Sequence, residues 1–483
     1  MHFDLAIVGS GFGGAILAMV ARRLGKSVLL LERGSHPRFA IGESTSPLMN
    51  LMIEEIAHTY DLPRLLPLAT YGAWKAHYPE LGVGLKRGFT YYGPQPGERL
   101  LVAASPGDSC ADTHWLRADV DHFLVKEAIA LGVAYRDNVD LAQLERTENG
   151  WRFGDDTAAF LIDASGPKGF LHHRQGWNEV GFCGYPNTQS LFSHFVGVKP
   201  VNLLPPSRSW GEVYPPDAAA SHYIFPGGWM WILPFDNGVT SAGFSVEDWL
   251  ADELQLSEGN AAAWARFLAR FPQIQAQFNE AKPVEKWHYS PKLSFRTEHV
   301  IGEGFALLPS AVGFIDPLYS TGMPLTLLGI QRLATLLEQG MTPEGLASYE
   351  ATTFAELDWV AEFIAANYAA FADFPRFVDT TMFYFAAASF SELARRIGKP
   401  ELAQGYLLTK SAAFRENFAA WQKKNLPLTE AIAPWNVAGL ADPLKKNLYG
   451  VDLEDVVQGG AKLGKTKAEL RQLIATADWA RCV

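Results

Sequence analysis

The chain has 483 residues, of which 48% are hydrophobic and 19% are charged, and this is the composition of a folded globular protein. Its length exceeds one ordinary domain, so we expect two or three structural units that share a large core. The formal net charge of −11, without a dense block of Lys and Arg, argues against nucleic acid as a partner and favours a small-molecule ligand.

Cysteine usage and the apolar segments both favour a cytoplasmic protein. Cys110, Cys183 and Cys482 lie far apart, in a spacing that fits neither a metal site nor a disulfide framework, so we expect no bound metal and a reducing compartment. The apolar N-terminal stretch contains Asp4 and a glycine-rich turn, and it predicts a strand and not a signal peptide. No uncharged run is long enough to span a bilayer, so we expect no membrane partner.

The first predicted unit is a strand, a tight turn, a helix and a second strand. Residues 4–9 (DLAIVG) form a short apolar run, and residues 15–25 (AILAMVARRLG) have the apolar spacing of a helix. Residues 27–34 (SVLLLERG) then make a second apolar run. This order of elements is the start of a Rossmann-type fold.

The turn in this unit carries a dinucleotide-binding fingerprint. In GSGFGG, Gly9, Gly11 and Gly14 would allow a tight turn, close approach to a pyrophosphate and close packing of the helix. Glu32 ends the second strand, where its carboxylate can accept hydrogen bonds from ribose hydroxyls. A glycine triplet alone would fit an ordinary turn, but the strand, helix, strand and acid together predict a dinucleotide with its phosphates at the helix N-terminus.

The rest of the chain predicts an α/β protein with three regions. A buried strand returns at 160–166 (FLIDASG), residues 170–298 often alternate at period two, and the chain beyond 343 is helical and rich in aromatic residues. The predicted regions are a discontinuous dinucleotide-binding domain (1–170 and 299–340), an inserted mixed-sheet substrate domain (171–298) and a C-terminal helical region that covers the substrate pocket (341–483).

Two features resemble the flavoprotein monooxygenase fold. DASG at 163–166 and a glycine turn near Gly313 occur at the spacing of that fold, and Arg117 matches its flavin-contacting arginine, although Arg117 also fits a surface helix N-terminus. The resemblance therefore implies FAD as the dinucleotide. A second glycine fingerprint for a nicotinamide is not found in the sequence, so the resemblance implies that FADH2 comes from a separate flavin reductase.

Three segments resemble the flavin-dependent halogenases, which share this fold. They are RFAIGESTSP with its Gly-Glu-Ser loop, GWMWILP, which matches W-x-W-x-I-P except at Leu233, and FIDPLYSTG (314–322), which matches F-x-x-P-x-x-S-x-G. The resemblance implies an enzyme that uses FADH2, O2 and chloride or bromide to halogenate an electron-rich aromatic. The alternatives are an FAD-dependent monooxygenase or oxidoreductase that hydroxylates or dehydrogenates, and a non-catalytic flavin-binding protein.

The resemblance also assigns roles to individual residues. Flavin contacts are implied for Gly9, Gly11, Gly14, Glu32, Arg33, Gly42, Glu43, Ser44, Arg117, Asp316 and Gly322. The halide is implied at Thr321 and Gly322, where a helix begins, although Ser320 or Thr321 would also simply cap that helix. Trp229 and Trp231 lie two apart, so on a strand their indoles share one face, either as a wall between flavin and substrate or as ordinary core.

In the family, hypohalous acid travels to a lysine that holds it or carries the halogen to the substrate. Lys86 in LKRGFTYY has Phe89 and Tyr91 at +3 and +5, as the family's lysine does, whereas Lys75 better fits the usual distance from the Gly-Glu-Ser loop. We favour Lys86 over Lys75. A solvated lysine at a strand end is the structural alternative.

Two positions depart from the family pattern. Tyr319 occupies the place of the glutamate that tryptophan-type halogenases carry before Ser-Thr-Gly, which favours a phenol or a pyrrole, free or tethered to a carrier protein. Pro309 and Ser310 replace a Gly-Asp pair whose acid contacts the flavin's ribityl chain, which predicts either weaker flavin binding or a contact from Ser310 instead. The choice between chloride and bromide stays open.

Overall fold

A computed structural model describes residues 1–436 of the chain, apart from residues 104, 106, 168, 205–213 and 397. The strands are β1 (His2–Val8), β2 (Val28–Leu31), β3 (Val83–Lys86), β4 (Gly88–Tyr92), β5 (Arg99–Ala103), β6 (Asp112–Trp115), β7 (Ala134–Arg136), β8 (Leu144–Thr147), β9 (Gly150–Phe153), β10 (Asp156–Asp163), β11 (Thr188–Val196), β12 (Ala220–Phe225), β13 (Gly228–Pro234), β14 (Val239–Glu247), β15 (Lys282–Pro283), β16 (His288–Ser290), β17 (Phe295–Arg296), β18 (Ile301–Gly302), β19 (Phe305–Leu307) and β20 (Gly313–Phe314).

The helices are α1 (Phe12–Arg23), α2 (Pro47–Thr59), α3 (Tyr71–His77), α4 (Arg117–Ala130), α5 (Phe170–Gln175), α6 (Asp248–Glu253), α7 (Ala261–Arg270), α8 (Pro272–Phe278), α9 (Pro309–Val312), α10 (Gly322–Gln339), α11 (Pro343–Ala370), α12 (Phe374–Arg396), α13 (Ala412–Gln422) and α14 (Leu428–Ile432). The predicted α/β class is confirmed. None of the helices within the described residues combines the length and apolarity that a bilayer span requires.

The first sheet is built on the predicted strand–turn–helix–strand unit. Its strands run in the order β18-β19-β10-β1-β2-β7, in which β19, β10, β1, β2 and β7 are parallel to one another and β18 is antiparallel to β19. Gly9 between β1 and α1 has φ +98°, and a Cβ there would lie 2.6 Å from the Ala164 carbonyl oxygen. A Cβ at Gly14 would lie 1.9 Å from the Gly9 carbonyl oxygen, so only glycine lets α1 pack this closely on the turn.

The second sheet has the order β15-β11-β14-β13-β12-β4-β5 and forms the platform of the site. It is mixed, because β4 runs parallel to β12 while β11, β14, β13 and β12 are antiparallel to one another. Its strands β4 and β5 come from the range 1–170, and the boundaries of the three regions remain a prediction. Residues 248–278 contain α6, α7 and α8, which the period-two pattern did not predict.

The described part of the C-terminal region is helical, in line with its sequence. Helices α11 and α12 pack against each other, and their buried aromatic side chains belong to the same large core as β1 and α1. Residues 437–483, including Cys482, lie outside the described residues. Cys110 and Cys183 are both exposed.

Candidate active site

One large cavity, of ≈ 1240 Å³, lies between the two sheets and the start of α10. Its lining includes Gly9, Gly11, Glu32, Arg33, Gly42, Glu43, Ser44, Arg117, Trp229, Trp231, Asp316, Thr321 and Gly322. Of the residues predicted to contact flavin or halide, Gly14 alone is not part of this lining, because it packs α1 on the turn. The cavity is therefore bordered by segments that are far apart in sequence.

At the glycine end of the cavity, Glu32 is held as an ionised carboxylate. Its Oε2 accepts hydrogen bonds from the Ser10 amide at 3.1 Å and from the Arg38 guanidinium at 3.1 Å, and Oε1 accepts from the Gly34 amide at 3.1 Å. Burial acts to raise the pKa of Glu32, but the Arg38 charge and the hydrogen bonds outweigh it and lower the pKa to about 2. The predicted ribose acceptor thus carries a negative charge at neutral pH.

Arg117 fastens the Gly-Glu-Ser loop to α4. Its guanidinium donates to the carbonyl oxygens of Ile41 and Gly42, both at 3.0 Å, and forms a two-pronged ion pair with Asp121 at 2.8 and 2.9 Å. The guanidinium carbon also lies 4.9 Å from the centroid of the Phe12 ring. Arg117 therefore fixes the loop beside the glycine turn, as well as bordering the cavity itself.

Within this loop, polar atoms remain without protein partners. The Oε1 of Glu43 pairs with Nε2 of His194 at 2.8 Å, whereas Glu43 Oε2 and Ser44 Oγ are buried and have no hydrogen-bond partner among the described residues. His194 lies on β11 and was not identified from the sequence. Because buried polar groups in folded proteins are almost always hydrogen-bonded, two such atoms beside a cavity indicate a place where a ligand binds.

The tryptophan strand lines the cavity with one face of the second sheet. Trp229 and Trp231 project from the same side of β13 with ring centroids 5.7 Å apart, as the sequence predicted. On β12, His222 faces Trp231 across the sheet, and its ring lies 5.4 Å from that of Trp229. His222 is the third member of this wall, and sequence reasoning missed it.

Aromatic side chains of β12 and β4 connect the wall to Lys86, which lies on β3. His222 faces Tyr91 on β4, with ring centroids 4.8 Å apart, and lies 6.1 Å from the Phe89 ring. The Lys86 Nζ lies 3.8 Å from the centroid of the Phe89 ring. Lys86 itself is not among the residues that line the cavity.

Lys86 is fully buried at the end of β3. Its Nζ donates to the carbonyl oxygen of Thr45, directly after the Gly-Glu-Ser loop, and its strand partner on β6 is Asp112. Asn50 donates to Asp112 Oδ1 at 2.8 Å. Burial lowers the pKa of Lys86 and the Asp112 carboxylate opposes this, while burial raises the pKa of Asp112 and Lys86 opposes that.

Lys75 occupies a different environment. Its Nζ forms an ion pair with Asp236 at 2.8 Å, its side chain is 40% exposed, and it is not part of the cavity lining. Tyr71 donates to the same carboxylate at 2.9 Å. The two candidate lysines therefore differ in burial. Lys86 is a buried amine, whereas Lys75 is an exposed cation paired with Asp236.

Residues 319–322, which contain the predicted halide site, form a turn that leads into α10. Tyr319 and Ser320 have φ values of +66° and +58°, and Thr321 and Gly322 border the cavity where the helix begins. Thr321, the N-cap residue, makes no side-chain capping hydrogen bond. The first amides of a helix have no acceptor within the helix, so they are free to bind an anion.

Tyr319 points away from the cavity into the C-terminal helices. Its hydroxyl donates to Asn367 Oδ1 at 2.7 Å and lies 2.8 Å from the Thr381 hydroxyl, and its ring stacks on Tyr384 at 4.3 Å. Tyr384 in turn donates to the Tyr319 carbonyl oxygen at 3.0 Å. The position that carries glutamate in tryptophan-type halogenases thus holds a buried, structurally engaged tyrosine.

Asp316, one of the predicted flavin contacts, borders the cavity, but its carboxylate is already engaged by protein donors. Oδ1 accepts from the Trp229 indole at 3.0 Å and from the Leu318 amide at 2.9 Å. Oδ2 accepts from Tyr368 at 2.8 Å, from Ser245 at 3.1 Å and more weakly from Tyr185 at 3.3 Å. These donors reach it from β13, β14, the turn and α11.

A glycine-rich dinucleotide turn joined to a tryptophan-walled cavity defines a dinucleotide-binding enzyme, and comparison with known proteins identifies its family. The model of the tryptophan halogenase family matches residues 114–375, and a model of NAD(P)-binding Rossmann-like domains matches residues 7–66. The chain belongs to the tryptophan halogenase family and is a flavin-dependent halogenase.

Individual relatives agree with this assignment. Monodechloroaminopyrrolnitrin halogenase PrnC of Pseudomonas fluorescens is 30% identical over 77% of this chain and 69% of the relative. Tetracycline 7-halogenase of Kitasatospora aureofaciens is 28% identical over 77% of this chain and 71% of its own. The crystal structure of halogenase PltM in complex with phloroglucinol and FAD, 23% identical, aligns with 92% of this chain and 99% of its own at a TM-score of 0.77, which shows a shared fold.

Proposed function

We propose that this enzyme uses FADH2, O2 and chloride or bromide to halogenate a phenol or a pyrrole, with Lys86 delivering the halogen as hypohalous acid or a species derived from it. The observation that carries the proposal is that Lys86 is fully buried against the Phe89 ring and outside the cavity lining, while the wall of Trp229, Trp231 and His222 lines the cavity. Such a wall keeps the cofactor and the substrate apart, so a small oxidant has to travel between them.

FAD fits the residues of the cavity. Glu32 presents a carboxylate for ribose hydroxyls, and the glycine turn lets a pyrophosphate approach α1. The unpaired Glu43 Oε2 and Ser44 Oγ offer one acceptor and one hydroxyl to the flavin end of the cavity. When bound in its reduced form, FAD supplies the electrons for oxygen-dependent oxidation of the halide, and we assign its supply to a separate flavin reductase.

Thr321 and Gly322 are the halide site in this proposal. A Cβ at Gly322 would meet no protein atom within 4 Å, and its φ does not lie in the left-handed region, so neither packing nor strain within the protein explains the glycine. Space beside the first amides of α10 is what an anion requires.

Lys86 is the residue that we assign to delivery of the halogen. Its contact with the Thr45 carbonyl and the Phe89 ring holds the amine in one position, which supplies orientation, and burial favours its uncharged form. His222, a member of the wall, borders the cavity and lies 6.1 Å from the Phe89 ring, so we place the route of the oxidant beside it. The exposed Lys75, held by Asp236, lacks these properties.

The substrate class follows from Tyr319. Since no carboxylate stands at this position to assist ring activation, the substrate has to activate its own ring through a phenolic oxygen or a pyrrole nitrogen. A 1H-pyrrole-2-carbonyl peptidyl-carrier-protein brominase of Pseudoalteromonas luteoviolacea, 24% identical over 74% of this chain, supports a carrier-tethered pyrrole as one form of substrate.

The decisive experiment offers the enzyme a panel of substrates. Protein is incubated with FAD, a flavin reductase, NADH and chloride or bromide, together with phenols and pyrroles, both free and carrier-bound, and products are read by mass spectrometry. We expect mass shifts of one halogen. Hydroxylated products alone would overturn the proposal in favour of a monooxygenase.

A further inference from the structure

We propose that Asp316 is a positioning residue that fixes the tryptophan wall relative to the halide turn, with Tyr368 of α11 as its principal partner. Trp229 on β13 and the Leu318 amide of the turn share its Oδ1 at 3.0 and 2.9 Å, and Tyr368 binds Oδ2 at 2.8 Å. A single carboxylate thus joins three separate elements of the site. This inference rests on the function proposed above.

Only a carboxylate can accept all of these hydrogen bonds. Asp316 is 2% exposed, and each of its oxygens receives at least two donors while offering none. An asparagine of the same shape has one acceptor oxygen and one NH2 group, which would point its hydrogens at donors. If the NH2 group faces Trp229 and Leu318, those two bonds are lost; if it faces the hydroxyls of Tyr368 and Ser245, these have to turn and accept, and their charge-assisted bonds to the carboxylate are replaced by weaker neutral ones.

The turn depends on such external support. Tyr319 and Ser320 both lie in the left-handed region, at φ +66° and +58°, a conformation that costs free energy for residues other than glycine and persists only when its surroundings impose it. Asn367 and Tyr368, adjacent on α11, bind the Tyr319 hydroxyl and the Asp316 carboxylate. One turn of α11 therefore braces both ends of the segment that leads to Thr321.

In this proposal, the hydrogen bonds of Asp316 to Trp229, Leu318 and Tyr368 fix the distance between the halide site and the tryptophan wall. If the Asp316 contacts loosen, the amides of Thr321 and Gly322 and the indole of Trp229 no longer keep a fixed separation. Halide affinity then falls, and electrons from reduced flavin are lost to hydrogen peroxide instead of halogenated product. A general loss of folding would lower all activities together, which distinguishes the two effects.

The test compares Asp316→Asn and Tyr368→Phe with Tyr349→Phe. Tyr349 is a matched control because it is a buried tyrosine of the same helix whose hydroxyl donates to the Leu307 carbonyl oxygen at 2.7 Å. We expect the first two variants to raise the KM for bromide by about tenfold, the effect of one hydrogen bond to a charged group, with a smaller change in kcat at saturating bromide. The ratio of hydrogen peroxide to halogenated product should rise in parallel, while the control changes neither.

A second readout needs no turnover. In protein labelled with 15N at the tryptophan indoles, the Trp229 resonance, assigned through Trp229→Phe, should move in Asp316→Asn and Tyr368→Phe and stay in place in Tyr349→Phe. The positioning role of Asp316 would be overturned if the Trp229 indole resonance did not move in Asp316→Asn. It would also be overturned if the KM for bromide and the ratio of hydrogen peroxide to product stayed unchanged in that variant. If the wild-type enzyme halogenates nothing, the proposed function fails, but the resonance still tests the brace.

Discussion

Polar side chains differ in their surroundings on the two sides of the tryptophan wall. On the cofactor side, Glu32 is satisfied by Arg38 and backbone amides, and Glu43 and Ser44 keep atoms available to a ligand. On the far side, Lys86 and Asp112 are buried ionisable groups, and the Phe89 ring lies against the Lys86 amine. In the function proposed above, the first side binds the charged cofactor and the second positions one reactive amine.

Removal of the Lys86 amine should have the largest effect, because it tests whether the far side of the wall is needed to deliver the halogen. Lys86→Met keeps the buried volume and should reduce substrate halogenation by about 100-fold or more, because a positioned acid–base group contributes at least that much. Formation of hypohalous acid, measured with a freely diffusing halogen trap, should continue, since the cofactor side is untouched. Lys75→Met is the control; if it abolished halogenation while Lys86→Met did not, the lysine role would move to Lys75.

The cofactor side is tested through Glu32. Glu32→Gln removes the ionised acceptor and should weaken FAD binding by about 10- to 100-fold, the range expected for hydrogen bonds to a charged group. Quenching of flavin fluorescence measures this affinity directly. The exposed Glu303→Gln serves as control, and equal affinities in wild type and Glu32→Gln would exclude Glu32 from the ribose site.

The smallest expected effect concerns the pH dependence of the amine. Burial lowers the pKa of Lys86 to about 8, and Asp112 limits this shift because its negative charge favours the ammonium form. Halogenation should therefore change with a midpoint near pH 8, rising with pH if the free amine acts and falling if the ammonium acts. In Asp112→Asn the midpoint should move down, on the order of one pH unit, and a midpoint that moves up would contradict this electrostatic role.

The features that the sequence predicted correctly are local ones. The strand, glycine turn, helix and acid lie within 35 residues, and the spacing of two between Trp229 and Trp231 already places both indoles on one face of a strand. The class of fold and the family followed from such contiguous patterns. The roles assigned to single residues remain predictions.

The features that the sequence did not reveal depend on contacts between distant residues. His222 and His194 are single histidines on strands; the register of the second sheet brings His222 to Trp231, and the packing of the Gly-Glu-Ser loop on β11 brings His194 to Glu43. Asp316 belongs to a recognised motif, but its donors come from β13, β14 and α11. Helix α7 did carry a local signal, since Asn260 caps the amides of Ala262 and Ala263, and the surrounding alternation obscured it.

The second sheet also has a consequence for redesign. The wall on β13 and the aromatic residues beside Lys86 on β4 are two strands apart, a step of about 10 Å that strand spacing keeps constant. If the proposed function holds, substitutions on β4 should alter the substrate's surroundings while the cavity that binds the cofactor stays unchanged. Variants with new side chains on β4 alone would then keep the cofactor cavity and accept different aromatic substrates.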